Sequence, residues 1–441
     1  MIPSAEALRA MASKILGLSG AGEALVRLGA ERRGNTRFAN NGITTAGSSE
    51  DLTVTVVSVF GKRHGAARTN VTDEASLARV VRRSEELARL SPADPEWLPV
   101  LPPQTYLKAE GLDSALGDLG PEARASRVIA LTGRSNSKGL LSSGFFEHSS
   151  SATALASSAS LFAYSARNEG SFSTTARTRD GAGSGWAGLD FGRLIDLDAE
   201  RLGRLAMEKA ARSASPKELP PGKYTVILEP QAVADLMGSL AFSLDARSAD
   251  EGRSVFSRPG GGTRIGERML SERVDLISDP TASGLAGSLF DEDGLPAQRI
   301  TWFDRGALRH LLMSRYWAHK TANRPTGPMA NLILPGGTDT VEEMIRTAER
   351  AVLVTRFWYI RFVDPQTLLL TGITRDGTFL VENGKIARAV SNFRFNESPI
   401  TMLRNVEMIS APRQVAGGSI PMAMPAIRSR DFTFSSVSRA V

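Results

Sequence analysis

The chain has 441 residues, of which 41% are hydrophobic, 23% charged and none cysteine, and it carries a formal net charge of +6. The lack of cysteine excludes disulfides, thiolate nucleophiles, cysteine-ligated zinc and iron–sulfur clusters. No apolar run reaches the roughly 18 residues a membrane span needs, and a chain longer than the roughly 250–300 residues of a single core is expected to form two domains.

The basic residues are mixed with acids in stretches such as RLGAERRGNTR, VVRRSEELAR and AIRSRD. Nucleic-acid binding needs a clustered basic patch, so it is not expected. At the start, Leu8, Met11 and Ile15 fall on one helical face behind Ser4. This pattern is a folded amphipathic helix and not an export signal, which implies a cytoplasmic location.

Residues 24–43 and 51–71 alternate apolar and polar side chains around Asn40-Asn41-Gly42 and Gly61-Lys62-Arg63, the pattern of hairpins with one buried face. A second helix is predicted from a Thr72 cap to about Leu90, where SPADPEWLPVLPP stops it. A third runs from Pro121 to Gly139. The Ser-, Ala- and Thr-rich stretch 140–190 keeps Phe146, Leu161, Phe162 and Tyr164 in alternation, which predicts closely packed strands, broken at Asn168-Glu169-Gly170. A helix is predicted near 197–213, and SPKELPPGKY then interrupts every periodicity. The expected division is 1–215 and 216–441.

In the second part YTVILEP is a buried strand leading into an apolar helix over EPQAVADLMGSLAFSLD (229–245). Thr340-Val341-Glu342-Glu343 is a capping box that starts a helix with Val341, Met344, Ile345 and Ala348 inward. A meander follows, punctuated at Asp364-Pro365, Asp376-Gly377 and Asn383-Gly384. The fold class is therefore α+β, with a curved antiparallel sheet and helices in the first domain and mostly β meander and sheets with a few helices in the second.

The chain has four histidines, His64, His148, His310 and His319, and no two share the i, i+4 or i, i+5 spacing of a helical metal site. Glu147 and His148 lie in a strand pattern and should face opposite sides. His310 and His319 are expected near one stripe of a helix, as ordinary surface or half-buried residues. The glycine-rich RPGGGTRIGE (258–267) lacks phosphate-loop spacing and reads as a flexible loop.

The block FDEDGLPAQRITWFDRGALRHLLMSRYWA (290–318), with PTG (325–327) and NLILPGG (331–337), resembles the C-terminal domain of the TldD/PmbA family, also labelled modulators of DNA gyrase. TLLLTGITRDGTFLVENGKI (367–386) and RFANNGI are similar to other parts of the same family. The resemblance covers nearly the whole chain. It implies one of two kinds of subunit. One carries a zinc-type H-E-x-x-x-H helix with a later cysteine ligand and degrades unstructured peptides; the other has the same fold without the ligands and pairs with it.

Laid on this sequence, the metal helix matches Gln231–Leu244, with Asp235, Leu236 and Leu240 at the first histidine, the glutamate and the second histidine. The resemblance thus implies a vacated helix whose Leu236, Leu240, Phe242 and Leu244 serve the core, with no catalytic residue and no metal in this chain. It further implies a TldE-like subunit that pairs with a zinc-bearing TldD-like chain to enclose a cavity where unfolded peptides are cut. Arg361 and Asp364 are candidates for peptide contact. Two alternatives stay open: a homodimer acting as a binding or scaffolding protein, and an enzyme with a relocated site using Asp235, Asp245 or His319.

Overall fold

The structure, a computed structural model, describes residues 2–108, 111–285 and 287–438. Helix α1 (Ala5–Gly17) starts at Ser4, whose hydroxyl accepts from the Ala7 amide, and it buries Leu8, Ala12 and Ile15. Strands β1 (Glu23–Ala39), β2 (Gly42–Phe60) and β3 (Arg63–Thr69) follow as two hairpins. The first turns at Asn40 and Asn41, both at positive φ, as a tight two-residue turn requires. Helix α2 (Glu74–Leu90) is capped by Asp73 and not by Thr72, because the Asp73 carboxylate reaches the Ser76 amide at 2.9 Å and suits the positive helix end.

After the short helix α3 (Ser114–Gly117) and α4 (Pro121–Ser137) come β4 (Leu140–Ser157), β5 (Phe162–Thr178), β6 (Ser184–Phe191) and helix α5 (Ala199–Arg212). The six strands form one antiparallel sheet in the order β3-β2-β1-β4-β5-β6. Asn168-Glu169-Gly170 does not break it. The ladder runs through all three residues, with the Asn168 amide donating to Ser150 Oγ at 2.7 Å, and the chain turns earlier, at 158–161, where Ser160 takes positive φ.

The helices cover one face of this sheet. Val26, Leu28, Val54 and Val56 pack under α1 and α2, while Phe146 and Phe172 pack under α4 and α5. Gly65 lets α2 approach closely: a Cβ there would meet the Ala88 nitrogen at 2.3 Å and the Ser84 carbonyl at 2.6 Å. Strand alternation turns Glu147, Ser149, Ser171, Ser173 and Asp190 to the opposite face.

The second half opens with β7 (Gly222–Leu228), α6 (Pro230–Ser243) and α7 (Ala246–Asp250). Short strands β8 (Leu276–Ser278), β9 (Ile300–Asp304), β10 (Ala307–Leu308) and β11 (Leu332–Ile333) enclose helix α8 (Arg315–Lys320) in sequence. Helix α9 (Val341–Arg346) carries the expected capping box, with Thr340 and Glu343 bonded reciprocally and Met344 fully buried. Then follow β12 (Arg350–Asp364), β13 (Leu369–Glu382), β14 (Lys385–Ala389), β15 (Phe393–Glu397), α10 (Pro399–Arg404), β16 (Val406–Ile409), β17 (Arg413–Gln414), β18 (Met422–Met424) and β19 (Ile427–Val437).

Strands β12, β7, β19, β15 and β13 pair in that order, and β13 pairs back to β12, so five strands close a ring. Aromatic rings fill it: Phe357, Phe393, Phe395, Phe432 and Phe434 stack or tilt against one another with centroids 4.5–5.8 Å apart. Asp376-Gly377 does not turn the chain. Both residues sit inside β13 at positive φ, where the pairing with β12 shifts, so the pair forms a bulge. A second sheet has the order β10-β9-β8-β11-β18-β17, and α6 packs against both β12 and β18. No helix among the described residues is long and apolar enough to cross a membrane.

A buried cation ties α4 to the first sheet. Arg124 is 1% exposed and donates to His148 Nε2 at 2.9 Å, the Leu119 carbonyl at 3.0 Å and Thr36 Oγ1 at 3.3 Å. Because a guanidinium only donates, His148 is the neutral Nδ1–H tautomer. Burial and then the adjacent Arg124 hold its pKa down at about 4. The unfolded chain, with an ordinary pKa near 6.5, takes the proton first as pH falls, so this contribution is complete above about 6.5 and drains by about 3 kcal/mol toward pH 4. Replacing His148→Gln keeps an acceptor for Arg124 but cannot ionise. Urea unfolding at pH 7 and pH 4.5 is expected to show the wild type losing about 2–3 kcal/mol relative to the variant; parallel pH profiles would contradict this reading.

Candidate functional site

Helix α6 has two faces of opposite character. Ala232, Val233, Leu236, Met237 and Leu240 are fully buried in the main core of the second half, with Leu244 just beyond the helix end. The opposite side carries Gln231, Asp235 and Gly238. Phe242 does not join the core as expected and is 81% exposed. Two residues on from Leu240 is about 200° around the helix, which turns the ring outward.

Gln231 binds both polar groups of one residue far along the chain. Its Oε1 accepts from the Ala416 amide at 3.0 Å, and its Nε2 donates to the Ala416 carbonyl at 3.0 Å and to Asp235 Oδ1 at 2.8 Å. The other Asp235 oxygen accepts from the Phe357 amide at 2.7 Å, which fixes α6 to β12. Burial raises the Asp235 carboxyl to about 6, against the opposing pull of Gln231, Arg356 and the Phe357 amide. The loop 415–419 that carries Ala416 is also held from the first half: Gly417 donates to Asp190 Oδ2 at 2.8 Å, and the Asp190 amide donates to the Val415 carbonyl at 3.3 Å.

Between the uncovered face of β5 and β6, the loop 415–419, α6 and β12 lies a cleft of about 580 Å³. Ser171, Ser173 and Thr175 form one wall, and Trp358 and Tyr359 stand across it. An adjoining cavity of about 220 Å³ reaches Glu147 and Asp190 and shares Ser171, Val415 and Gly418 with the first. Arg356 sits at the junction of the halves, its guanidinium 4.6 Å from the Trp186 ring and 4.9 Å from the Trp358 ring, and 3.9 Å from the buried Asp376. Asp376 in turn accepts from Ser184 Oγ at 2.5 Å.

Of the residues singled out in the sequence, Asp235 faces this cleft, whereas Leu236 and Leu240 point into the core. Arg361 lies over the Tyr359 ring at 4.2 Å, and Asp364 accepts from Gln366 and Thr367 in the turn after β12; neither lines the cleft. Asp245 caps α7 through the Ser248 amide at 2.7 Å. His310 and His319 do not share a helix: His310 follows β10 with Nδ1 2.7 Å from the Thr301 carbonyl, and His319 lies in α8. The chain extends between them because Leu312 pairs with Asp245 and Leu244. Among the described residues, no hydrogen bond or ion pair joins Asp235, Asp245 and His319. The segment 258–267 is a loop with Gly260, Gly261 and Gly262 at positive φ, pinned by Arg258 and Arg264 on Glu267.

Gln231, Asp190, Arg356 and the 415–419 loop escaped the sequence reading. Gln231 four residues before Asp235 on one helical face was the available signal for part of it. The donors in this place do not fit a zinc site. Gln231 and Asp235 have their polar atoms engaged with each other and with backbone, and among the described residues no group of three His, Cys, Asp or Glu side chains is arranged to hold a metal.

Three family models match in succession: PmbA/TldA metallopeptidase domain 1 over 24–88, the central domain over 114–214 and the C-terminal domain over 221–436. The chain belongs to the TldD/PmbA family of metallopeptidase-related proteins. Among its relatives, a metalloprotease of Methanothermobacter thermautotrophicus is 25% identical over 55% of this chain and 59% of its own length. A TldD homologue described as a metalloprotease, from Buchnera aphidicola, is 21% identical over 46% of this chain and 44% of its own. These curated relatives are thus matched over about half their length.

In three dimensions the chain is similar to TldE from Thermococcus kodakarensis, with TM-score 0.87, 16% identity and coverage of 98% of this chain and all of that one. It is also similar to a candidate modulator of a DNA gyrase from Thermotoga maritima, with TM-score 0.85, 17% identity and coverage of 97% and 100%. At these identities the likeness establishes the fold.

Gln231→Leu keeps the volume of the side chain and removes all three bonds. Hydrogen exchange followed by mass spectrometry is expected to show the segment around Ala416 exchanging about tenfold faster or more, with stability reduced by about 1–3 kcal/mol. Unchanged exchange there would mean that the amide does not hold the loop.

Proposed function

We propose that this chain is a non-catalytic, TldE-like subunit that pairs with a zinc-bearing TldD-like chain in the cytoplasm, and that together they cut unfolded peptides. The observation that carries this reading is the polar face of α6. The family's zinc-type helix maps onto this element, and here its cleft side holds a glutamine amide bonded to Ala416 and a carboxylate bonded to Gln231 and the Phe357 amide. A peptidase needs a polarising group and a base free to take a proton from water. On this face of α6 neither is left over once these bonds are made.

The chain's part is containment and grip. The cleft holds only about 580 Å³, and its β5 wall carries small polar side chains. Such a surface suits an extended strand bonded through its own backbone, and a folded protein would not enter. Zinc, the attacking water and the base belong to the partner in this account.

Co-expression with a zinc-bearing family member from the same genome tests the proposal. Size-exclusion chromatography with mass measurement is expected to give a one-to-one complex that digests casein and is silenced by a chelator, while this chain alone digests nothing. A chain that never co-elutes with the partner, or that cuts casein alone, would overturn the assignment.

A further inference from the structure

The two cavities beside the 415–419 loop are one trough, since Ser171, Val415, Gly418, Ser419 and Met422 line both. Its ends differ. At one end Glu147 and Asp190 flank the small Ser171 in a single cross-strand row, Glu147 opposite Ser171 and Ser171 opposite Asp190. Arg33, which lines the same cavity, pairs with Glu31 at 3.3 Å, and Arg167 pairs with Glu169 at 2.9 Å. Glu147 has no partner among the described residues. Asp190 gives one oxygen to Gly417, while its Oδ1 is shielded from water and makes no hydrogen bond. Burial raises the Asp190 carboxyl, hydrogen bonding with Ser171 and the Gly417 amide opposes the rise, and Glu147 and Glu169 add to it. Three carboxylates, Glu147, Glu169 and Asp190, thus line this cavity with one guanidinium, Arg33.

At the other end Trp186 lies four residues along β6 from Asp190, about 13 Å at strand rise. Arg356 stacks between Trp186 and Trp358, which places Trp358 at this end with Tyr359 beside it. Both rings remain partly exposed, at 46% and 65%, with Arg356 and Arg375 against Trp358 and Arg361 against Tyr359. Tyr359 takes φ +56° at a point where the β12–β13 pairing shifts, so a bulge re-aims the strand beside the trough.

We propose that the trough selects an extended peptide by two side chains: a lysine or arginine seated between Glu147 and Asp190, and an apolar or aromatic residue about four positions away against Trp358 and Tyr359. This rests on the reading that the chain grips peptide, and adds what the peptide must carry. Two half-buried carboxylates in one cross-strand row repel each other, and a cation between them relieves that repulsion. The aromatic end supplies stacking area for a flat or apolar side chain.

Fluorescence polarisation with this chain alone tests the inference, using fluorescein-labelled, unstructured Gly/Ser/Thr peptides of about twelve residues. The first carries Lys and, four positions on, Phe; a second has Glu for the Lys; a third has Ser for the Phe. The Lys/Phe peptide is expected to bind at least about tenfold more tightly than either. The Glu147→Gln/Asp190→Asn double variant, with Glu147→Gln alone as a milder check and melting curves as a control of folding, is expected to lose the Lys-over-Glu preference and keep the Phe-over-Ser one. Equal binding of the Lys and Glu peptides, a preference that survives in the double variant, or no binding of any peptide would overturn it. The partner is absent from this assay, so its outcome is separate from that of the co-elution experiment.

Discussion

A single glutamine amide fixes the geometry of the cleft. Gln231 satisfies both the N–H and the C=O of Ala416, 185 residues away, and orients Asp235 with its second hydrogen. A primary amide is one of the few side chains that offers donor and acceptor at once without titrating, so the junction of helix and loop is insensitive to pH at that atom. The consequence reaches further than the loop. With Asp235 bonded to Gln231 on one oxygen and to the Phe357 amide on the other, α6, β12 and the 415–419 segment become one unit. A metal ion in the same place would do the same mechanical work through deprotonated ligands, and the side chains here make those ligands unnecessary.

The first half of the chain completes the cleft. Asp190 on β6 takes the Gly417 amide, Ser184 on the same strand donates to Asp376 in the β13 bulge, and Arg356 stacks on Trp186. All three contacts come from the short edge strand, so the position of β6 sets the width of the trough. The strand is held from behind by close approach of α5: a Cβ on Gly185 would meet the Ala206 carbonyl at 2.2 Å, so only glycine allows that packing. Small residues in the Ser- and Ala-rich stretch thus serve two ends, bringing helices close on one face and leaving room for a ligand on the other.

Much of the fold was legible because periodicity reports burial. The amphipathic α1, the hairpin turns at Asn40-Asn41 and Gly61, and the Thr340 capping box are local signals that the tertiary structure leaves intact. Where context overrode local chemistry, the reading failed. Asn168-Glu169-Gly170 and Asp376-Gly377 look like turns, yet one is absorbed in a ladder through Asn168 and Ser150, and the other is a bulge whose aspartate is buried against Ser184. Phe242 reads as core by composition, but its angular position on α6 puts it outside. The family resemblance pointed to α6, and which face of that helix meets the cleft was not visible in sequence. Which positions meet the cleft depends on Ala416 and Phe357, partners separated from it by 185 and 122 residues, and no spacing rule connects them.

Hydrogen bonds between side chain and backbone, and not a bound ion, are what we propose holds the α6–loop junction. The most direct measurement is the metal content of the purified chain, together with its melting temperature in zinc and in a chelator. The account predicts far less than one equivalent of zinc and the same melting temperature in both conditions. One zinc per chain, with a melting temperature that falls several degrees when the chelator is added, would contradict it.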